Sequence, residues 1–410
     1  MREGEEQKST KNRPEPLRPL RVTCAPGLAG LLGEELKALG FAIDSTDSTG
    51  VEVKGRLVDA MRITLLCRTA YHVLQRFGDI YAKDVETIYQ SALGLPWERV
   101  IPADGYVSVV SATRPGPDRN TMFINMRLKD AIVDRLNKVH GRRPDSGPSI
   151  DRTVVHIYWG EDKCRISLDL AGRKLSDRGY RQIPCRAPMR ETIAAGVLME
   201  AGYGGSRPLV IPMCGSGTLA IEGALMATGR APGLLRANFG LKHLCTFDEK
   251  AWDDQRLAAK KLRHKKNPAL IIASDIDPDA VQASRRNAIT AGVDHLIEFH
   301  TCDFADTPMP DTPGTIILHG EYGQRLGSET DLPGTYRRMG DFLKQSCAGW
   351  NAHIFTAREL AGEIGLKASR RVPFENGSID CRLLRFELYA GTREEIRKSA
   401  QSEASANLNE

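Results

Sequence analysis

Apolar and polar positions alternate along this chain in two different rhythms. From Leu20 the run Leu-Arg-Val-Thr-Cys reads as a strand, Leu28 to Leu39 as an amphipathic helix closed by Gly40, and Val51-Glu-Val-Lys as a further strand. A second set of the same kind follows. Gly105 to Ala112 is strand-like, and Thr121 to Val139 carries Ile124, Leu128, Ile132 and Leu136 at helical spacing. Val154-Val-His-Ile-Tyr and Cys164-Arg-Ile-Ser-Leu-Asp-Leu look like paired strands. After Pro184 the pattern changes to alternation of the two kinds of element. Helices are expected over Thr192 to Ala201, Thr218 to Ala227 and Pro278 to Ala291, with strands at Leu209 to Ile211, Ala269 to Ser274, Ile297 to Phe299 and Gly314 to Leu318. Such alternation predicts a parallel sheet wrapped by helices on both faces. The expected organisation is an α+β region over 20–183 and an α/β domain over 184–392, joined near Arg181 to Pro188. The polar, aromatic-poor stretches 1–19 and 393–410 are expected to be disordered tails.

Composition narrows this picture without deciding it. A length of 410 residues suits two or three domains, and 41% apolar with 27% charged residues is ordinary for a soluble protein. No run approaches the roughly 18–20 apolar residues that span a bilayer, so no membrane partner is expected. The first twenty residues lack the apolar core of a secretory leader, which makes the cytoplasm the expected location. The nine Cys are scattered and never form Cys-x-x-Cys, and the nine His are equally dispersed. Reduced thiols and no metal are expected. A net charge of +5 and a pI near 8.7 are compatible with a polyanionic partner and do not identify one.

Chemistry enters at Ile211-Pro-Met-Cys-Gly-Ser-Gly-Thr-Leu-Ala-Ile-Glu, which follows an apolar strand and opens a helix. Pro212, Cys214, Gly215, Ser216, Gly217 and Thr218 would form a turn where backbone can approach a ligand at the carboxyl end of the sheet. The next expected strand ends in Ala273-Ser-Asp-Ile-Asp-Pro, placing Asp275 to accept from both hydroxyls of a ribose. Asp303, after the third strand, is placed to accept from an adenine amino group. The three features together point to an adenosine cofactor. The turn lacks the Lys of a phosphate-cradling loop, which disfavours an ATPase. Nicotinamide dinucleotides stay open at this point, because Ala220 stands where a third glycine would be.

The stretch from Pro212 closely resembles the S-adenosylmethionine motif of the THUMP-domain class I RNA guanine-N2 methyltransferases, especially the N-terminal half of the bifunctional enzymes acting on 23S ribosomal RNA. Lys129-Asp-Ala-Ile-Val-Asp-Arg, Gly141-Arg-Arg-Pro, Leu168-Asp-Leu-Ala-Gly, Arg178-Gly-Tyr-Arg, Ala187-Pro-Met-Arg-Glu-Thr and Ser274-Asp-Ile-Asp-Pro look like the same family's landmarks in the same order. The resemblance runs over roughly 20–390. It implies a ferredoxin-like segment and a THUMP domain that bind RNA, then a Rossmann-like class I methyltransferase domain using S-adenosylmethionine. Ribosomal RNA is the first expected partner and transfer RNA the second.

Two departures from the family pattern stand out. The family's Asn/Asp-Pro-Pro-Tyr accepts hydrogen bonds from the target amino group and stacks its ring on an extruded base. Here His319, Gly320 and Glu321 replace Asn, Pro and Pro, while Tyr322 remains, and Ile211 stands where the motif usually has Asp. One reading keeps catalysis, with Glu321 or neutral His319 as acceptor and Tyr322 as stacking ring. The other is a catalytically silent RNA-binding or ribosome-assembly factor. A different acceptor group is a third. For RNA, the basic positions Arg127, Lys129, Arg142 and Arg143 are candidate phosphate contacts, extended by Arg178 and Arg181, with Tyr180 available for stacking.

Overall fold

The computed structural model describes residues 16–114, 119–185, 188–264, 268–320 and 331–388. Contacts divide them into two units: one of residues up to Cys24 with Leu32–Leu175 and Arg236–Ala259, the other of Ala25–Leu31, Ser176–Leu235 and the chain from Lys260 onward.

In the first unit the strands are β1 (Arg18–Cys24), β2 (Ile43–Asp47), β3 (Gly50–Gly55), β4 (Ala70–Tyr81), β5 (Tyr106–Thr113), β6 (Asp145–Ser146), β7 (Thr153–Trp159) and β8 (Lys163–Asp169). They form one mixed sheet in the order β2-β3-β1-β4-β8-β7-β5-β6. Its helices include α2 (Leu57–Leu66), α3 (Val85–Leu93) and α4 (Thr121–His140), while α1 (Ala29–Ala38) starts in the second unit. The sheet is pinned by apolar pairs. Val22 lies opposite Val51 on one side and Val73 on the other, and all three are fully buried. Helix α4 follows its sequence signals closely. Asn120 caps it by accepting from Met122 N at 2.9 Å, Ile124, Leu128, Ile132 and Leu136 are fully buried, and Gly141 ends it at φ 65°.

The second unit contains α5 (Glu191–Glu200), β9 (Leu209–Pro212), α6 (Thr218–Ala227), β10 (Ile271–Asp275), α8 (Pro278–Ala291), β11 (Ile297–Thr301), β12 (Thr315–Leu318), α9 (Leu332–Ser346), β13 (Asn351–Ala357), β14 (Arg370–Asn376) and β15 (Ile379–Glu387). Most of α7 (Glu249–Lys261) belongs to the first unit. The sheet order is β11-β10-β9-β12-β13-β15-β14. The first five strands run parallel and the last two pair antiparallel. Strands β9 and β12 are buried at every residue, as strands covered on both faces must be. The chain steps outward from β9 through β10 to β11, then resumes on the other side at β12. That reversal puts a ligand crevice outside the carboxyl ends of β9 and β12.

The units interleave where the sequence suggested a single cut near residue 183. Residues 25–31 belong with the second unit, where Glu375 N donates to Pro26 O at 3.3 Å and Leu28 fills the space a Cβ on Gly196 would need. The stretch 236–259 belongs with the first, where Leu241 N donates to Leu170 O and Cys245 N to Val100 O, both at 3.0 Å.

Candidate active site

The turn after β9 is held in an unusual backbone shape. Met213 has φ 68°, Gly215 φ 54° and Gly217 φ 83°. At Gly217 a side chain is impossible as the backbone stands, because a Cβ would lie 2.1 Å from Ser284 Oγ on α8. At Gly215 the opposite holds. Nothing stands within 4 Å of where its Cβ would be, so the turn presents bare backbone to open space. Cys214 N donates to Ser274 O at 2.8 Å, closing the turn against β10, and burial pushes the Cys214 thiol up.

Asp275 fixes the turn from the end of β10. Its Oδ2 accepts from Gly215 N at 2.8 Å and its Oδ1 from Asp277 N at 3.1 Å, so both oxygens are oriented and each keeps a further lone pair. Burial raises its pKa above the ordinary carboxylate value, and those backbone donors only partly offset this.

Three of the residues expected on RNA are instead engaged within this unit, two of them buried. Arg178 and Tyr180 are 1% exposed, with Tyr180 Oη donating to Glu222 Oε1 at 3.2 Å and Arg178 Nε 3.6 Å from the same oxygen. Neither presents a surface to a base or a phosphate, so the expected RNA contacts are corrected here. Arg181 is also redirected. Its guanidinium donates to Ser216 Oγ at 2.7 Å, Thr218 Oγ1 at 2.9 Å and Met189 O at 2.8 Å, and lies 3.0 Å from Glu191. This fork ties the glycine-rich turn to the start of α5. Asn287, fully buried, adds a second tie by donating to Ser216 O at 3.0 Å and Ile183 O at 2.9 Å while accepting from Gln182 N and Ile183 N. In sequence, Arg181 beside Tyr180 reads as part of an RNA patch, and its tie to the turn becomes visible only with its partners in place. The sequence offers no signal for Asn287.

Asp303 caps the short turn after β11, its Oδ1 accepting from Ala305 N at 3.0 Å and from Arg338 at 2.8 Å. Arg338 lies over the Phe304 ring at 4.9 Å. At the end of β12, His319 is half-buried beside Phe355, with ring centroids 5.6 Å apart, and desolvation pushes its imidazole down to about 4. Gly320 is buried where a Cβ would meet Met339 Cε at 2.4 Å and Tyr336 Oη at 3.1 Å. Glu321 and Tyr322 lie outside the described residues.

In the first unit, Arg127 is paired with Glu86 and stacks over Tyr89 at 4.2 Å, and Lys129 lies 3.1 Å from Asp130. Arg142 and Arg143 are exposed just past α4, with Arg143 3.6 Å from Asp134. Acidic neighbours therefore offset much of the positive charge on α4 itself. The same unit assembles one grouping that the dispersed histidines did not suggest: His72, His156 and Asp169 come together from three strands.

A doubly wound sheet with a glycine turn, a carboxylate at the end of the next strand and a second acid after the third has the architecture of a class I methyltransferase domain. The comparisons agree. Residues 178–385 match the RMKL-like methyltransferase domain family, 19–74 the RlmL ferredoxin-like domain and 82–169 the THUMP domain. The chain belongs to the RMKL-like methyltransferase family. It is 37% identical over 374 residues to the ribosomal RNA large subunit methyltransferase K/L of Allochromatium vinosum, covering 88% of this chain and 50% of that protein. The chain thus spans about half the length of such curated relatives. A putative RNA methyltransferase of Synechocystis is 32% identical, with 91% of this chain and 97% of that protein covered. Among solved structures, a putative methyltransferase in complex with SAH aligns with TM-score 0.82 at 25% identity, covering 92% of this chain and all of that one. A predicted N6-adenine-specific DNA methylase from Listeria monocytogenes aligns with TM-score 0.79 at 27% identity, covering 92% and 97%.

Proposed function

We propose that the chain is an S-adenosylmethionine-dependent RNA methyltransferase that modifies guanine N2 in large-subunit ribosomal RNA, with transfer RNA as the second substrate to test. The observation that carries this reading is Asp275, a carboxylate already oriented by Gly215 N and Asp277 N at the carboxyl end of β10. It suits a ribose: each oxygen retains an acceptor lone pair, and the open space at Gly215 admits a ligand against bare backbone. Asp303 keeps its Oδ2 for an adenine amino group, since both of its bonds fall on Oδ1. S-adenosylmethionine supplies the electrophilic methyl group when bound. The chain's own part is to orient and desolvate the acceptor. His319, neutral at physiological pH, accepts a hydrogen bond from the exocyclic N–H and so turns the nitrogen lone pair toward the methyl. Glu321 is a second acceptor and Tyr322 a stacking ring for the extruded base.

The names of the K/L relatives support ribosomal RNA, and the THUMP match supports RNA in general. A cytoplasmic location accords with nine free cysteines, and no helix among the described residues is long and apolar enough to cross a membrane. A silent RNA-binding factor is the second reading, favoured by the replacement of the family's Asn/Asp-Pro pair with His319 and the tightly packed Gly320. Nucleoside mass spectrometry on unmodified ribosomal and transfer RNA, incubated with the protein and S-adenosylmethionine, separates them. N2-methylguanosine that disappears in His319→Ala or Glu321→Ala establishes the enzyme. Cofactor and RNA binding without any methylated nucleoside leaves the silent factor.

A further inference from the structure

Across the sheet of the first unit, β4, β8 and β7 are neighbours, and the register places three polar side chains on one face. Asp169 pairs with Leu74 on β4 and with Val154 on β7. Side chains two residues apart on a strand share a face, so His72, two before Leu74, and His156, two after Val154, flank Asp169 diagonally. The result is compact. His72 Nδ1 lies 2.7 Å and His156 Nε2 3.3 Å from Asp169 Oδ2. One ligand atom from each residue falls within 4.8 Å of the others. Metal–ligand bonds of about 2.0–2.2 Å put ligand atoms of one ion about 3–4 Å apart, so only small side-chain adjustments separate this arrangement from a coordination sphere.

The carboxylate is held for such a role. Asp169 Oδ1 accepts from Ala171 N at 3.0 Å and Gly172 N at 3.2 Å, which fixes its plane, while Oδ2 faces the two imidazoles. Its side chain is entirely buried, those of His72 and His156 are 15% and 20% exposed, and His156 Nε2 is out of contact with solvent and without a hydrogen-bond partner. His72 Nδ1 and the two backbone N–H groups already compensate the buried carboxylate, but desolvating the His156 nitrogen is costly unless a cation or donor compensates. Two imidazoles with one carboxylate match divalent cations of the zinc, cobalt, nickel and iron group, rather than magnesium or calcium, which prefer oxygen.

We propose that His72, His156 and Asp169 form a binding site for a zinc-class divalent cation, completed by solvent at the partly open positions. His72 lies in the segment matched to the ferredoxin-like domain, and His156 and Asp169 lie in the THUMP match. The ion therefore cross-links the two modules of the RNA-binding region through adjacent strands.

The test uses the full chain after removal of metal with a chelator. Titration with Co2+, followed by its visible d–d absorption and competed with Zn2+, is expected to show one tight site with nitrogen and oxygen ligation and an upward shift of the melting temperature. His156→Gln and His72→Gln are each expected to weaken binding about tenfold or more and to abolish the shift. Both sit at partly exposed positions, and circular dichroism of each metal-free variant checks that the fold is kept. Three results would overturn the site: no saturable Co2+ binding, binding unchanged in both well-folded variants, or the near-ultraviolet charge-transfer bands of thiolate ligation.

Discussion

The turns after β9 and β12 stand at the carboxyl ends of adjacent strands, yet they are built on different principles. The first is held by polar ties from several directions: Asp275 on Gly215, Arg181 on Ser216 and Thr218, and Asn287 on the Ser216 carbonyl. The second, in its described part, is held by packing, with His319 beside Phe355 and Gly320 against Met339 and Tyr336. Charged hydrogen bonds fix backbone direction, whereas packing fixes volume and, among the described residues of the second turn, leaves His319 as the polar side chain at the strand end. In the proposed enzyme, cofactor binding is accordingly over-determined, and acceptor chemistry rests on few groups.

The largest effect is expected from Gly217→Val. The backbone there has φ 83° and the new Cβ would meet Ser284 Oγ at 2.1 Å. Strain and overpacking together are expected to cost on the order of 3 kcal/mol or more. Thermal melting with and without S-adenosylmethionine reads this. A variant of wild-type stability that still binds cofactor would show that the turn is looser than its ties imply.

Next comes Arg181→Ala, which strands Glu191 in a mostly buried place and frees the hydroxyls of Ser216 and Thr218. Breaking such a pair costs about 2–3 kcal/mol. Arg181→Lys keeps the charge beside Glu191 but cannot fork to both hydroxyls. If Arg181 positions the turn, Lys restores stability more than it restores the KM for cofactor. Equal recovery of the two would reduce Arg181 to a structural ion pair.

Asp275→Asn is expected to leave the fold intact and weaken cofactor about 10- to 100-fold, the loss of one or two charged hydrogen bonds. Isothermal titration with the cofactor checks it. Retained affinity would remove the ribose assignment and with it the main support for the proposed function.

Much of this site was legible because its signals are local. The turn between β9 and α6 is marked by glycines next to a fully apolar strand, and α8 begins at its Asp277 cap and ends at Gly292 as its sequence signals place it. What stayed hidden is non-local. β4 runs for twelve residues through the middle of its sheet, but Ala70 to Tyr81 carries Arg76, Gly78 and Asp79 in its second half, where the buried-in, exposed-out rhythm fails and the pairing with β8 shifts register. Arg178, Tyr180 and Arg181 read as an RNA patch, because a basic run with an aromatic is ambiguous until its acidic partners are known. Those partners, Glu191 and Glu222, lie 10 to 44 residues away in helices that are apolar nearly all round. His72, His156 and Asp169 are distant in sequence and become neighbours only through strand register.

The smallest expected effect separates the two turns by pH. Burial raises Asp275 above the ordinary carboxylate value and lowers His319 to about 4 from 6.5. The signs differ. The folded chain holds the Asp275 proton more tightly than the unfolded chain does, so this group disfavours folding once ionised, and the penalty fades as pH falls through its raised value. For His319 the unfolded chain takes up the proton first, so stability is lost as pH falls from about 6.5 through 4. Catalysis should follow the same division. On acidification the KM for cofactor rises as Asp275 loses the charge that accepts from ribose, and kcat falls as His319 is protonated and can no longer accept from the amino group. Asp275→Asn should flatten the KM limb and leave the kcat limb, and His319→Phe should remove the acid stability loss attributable to that ring. If both limbs move together in either variant, the two turns form one coupled site and the division between polar ties and packing fails.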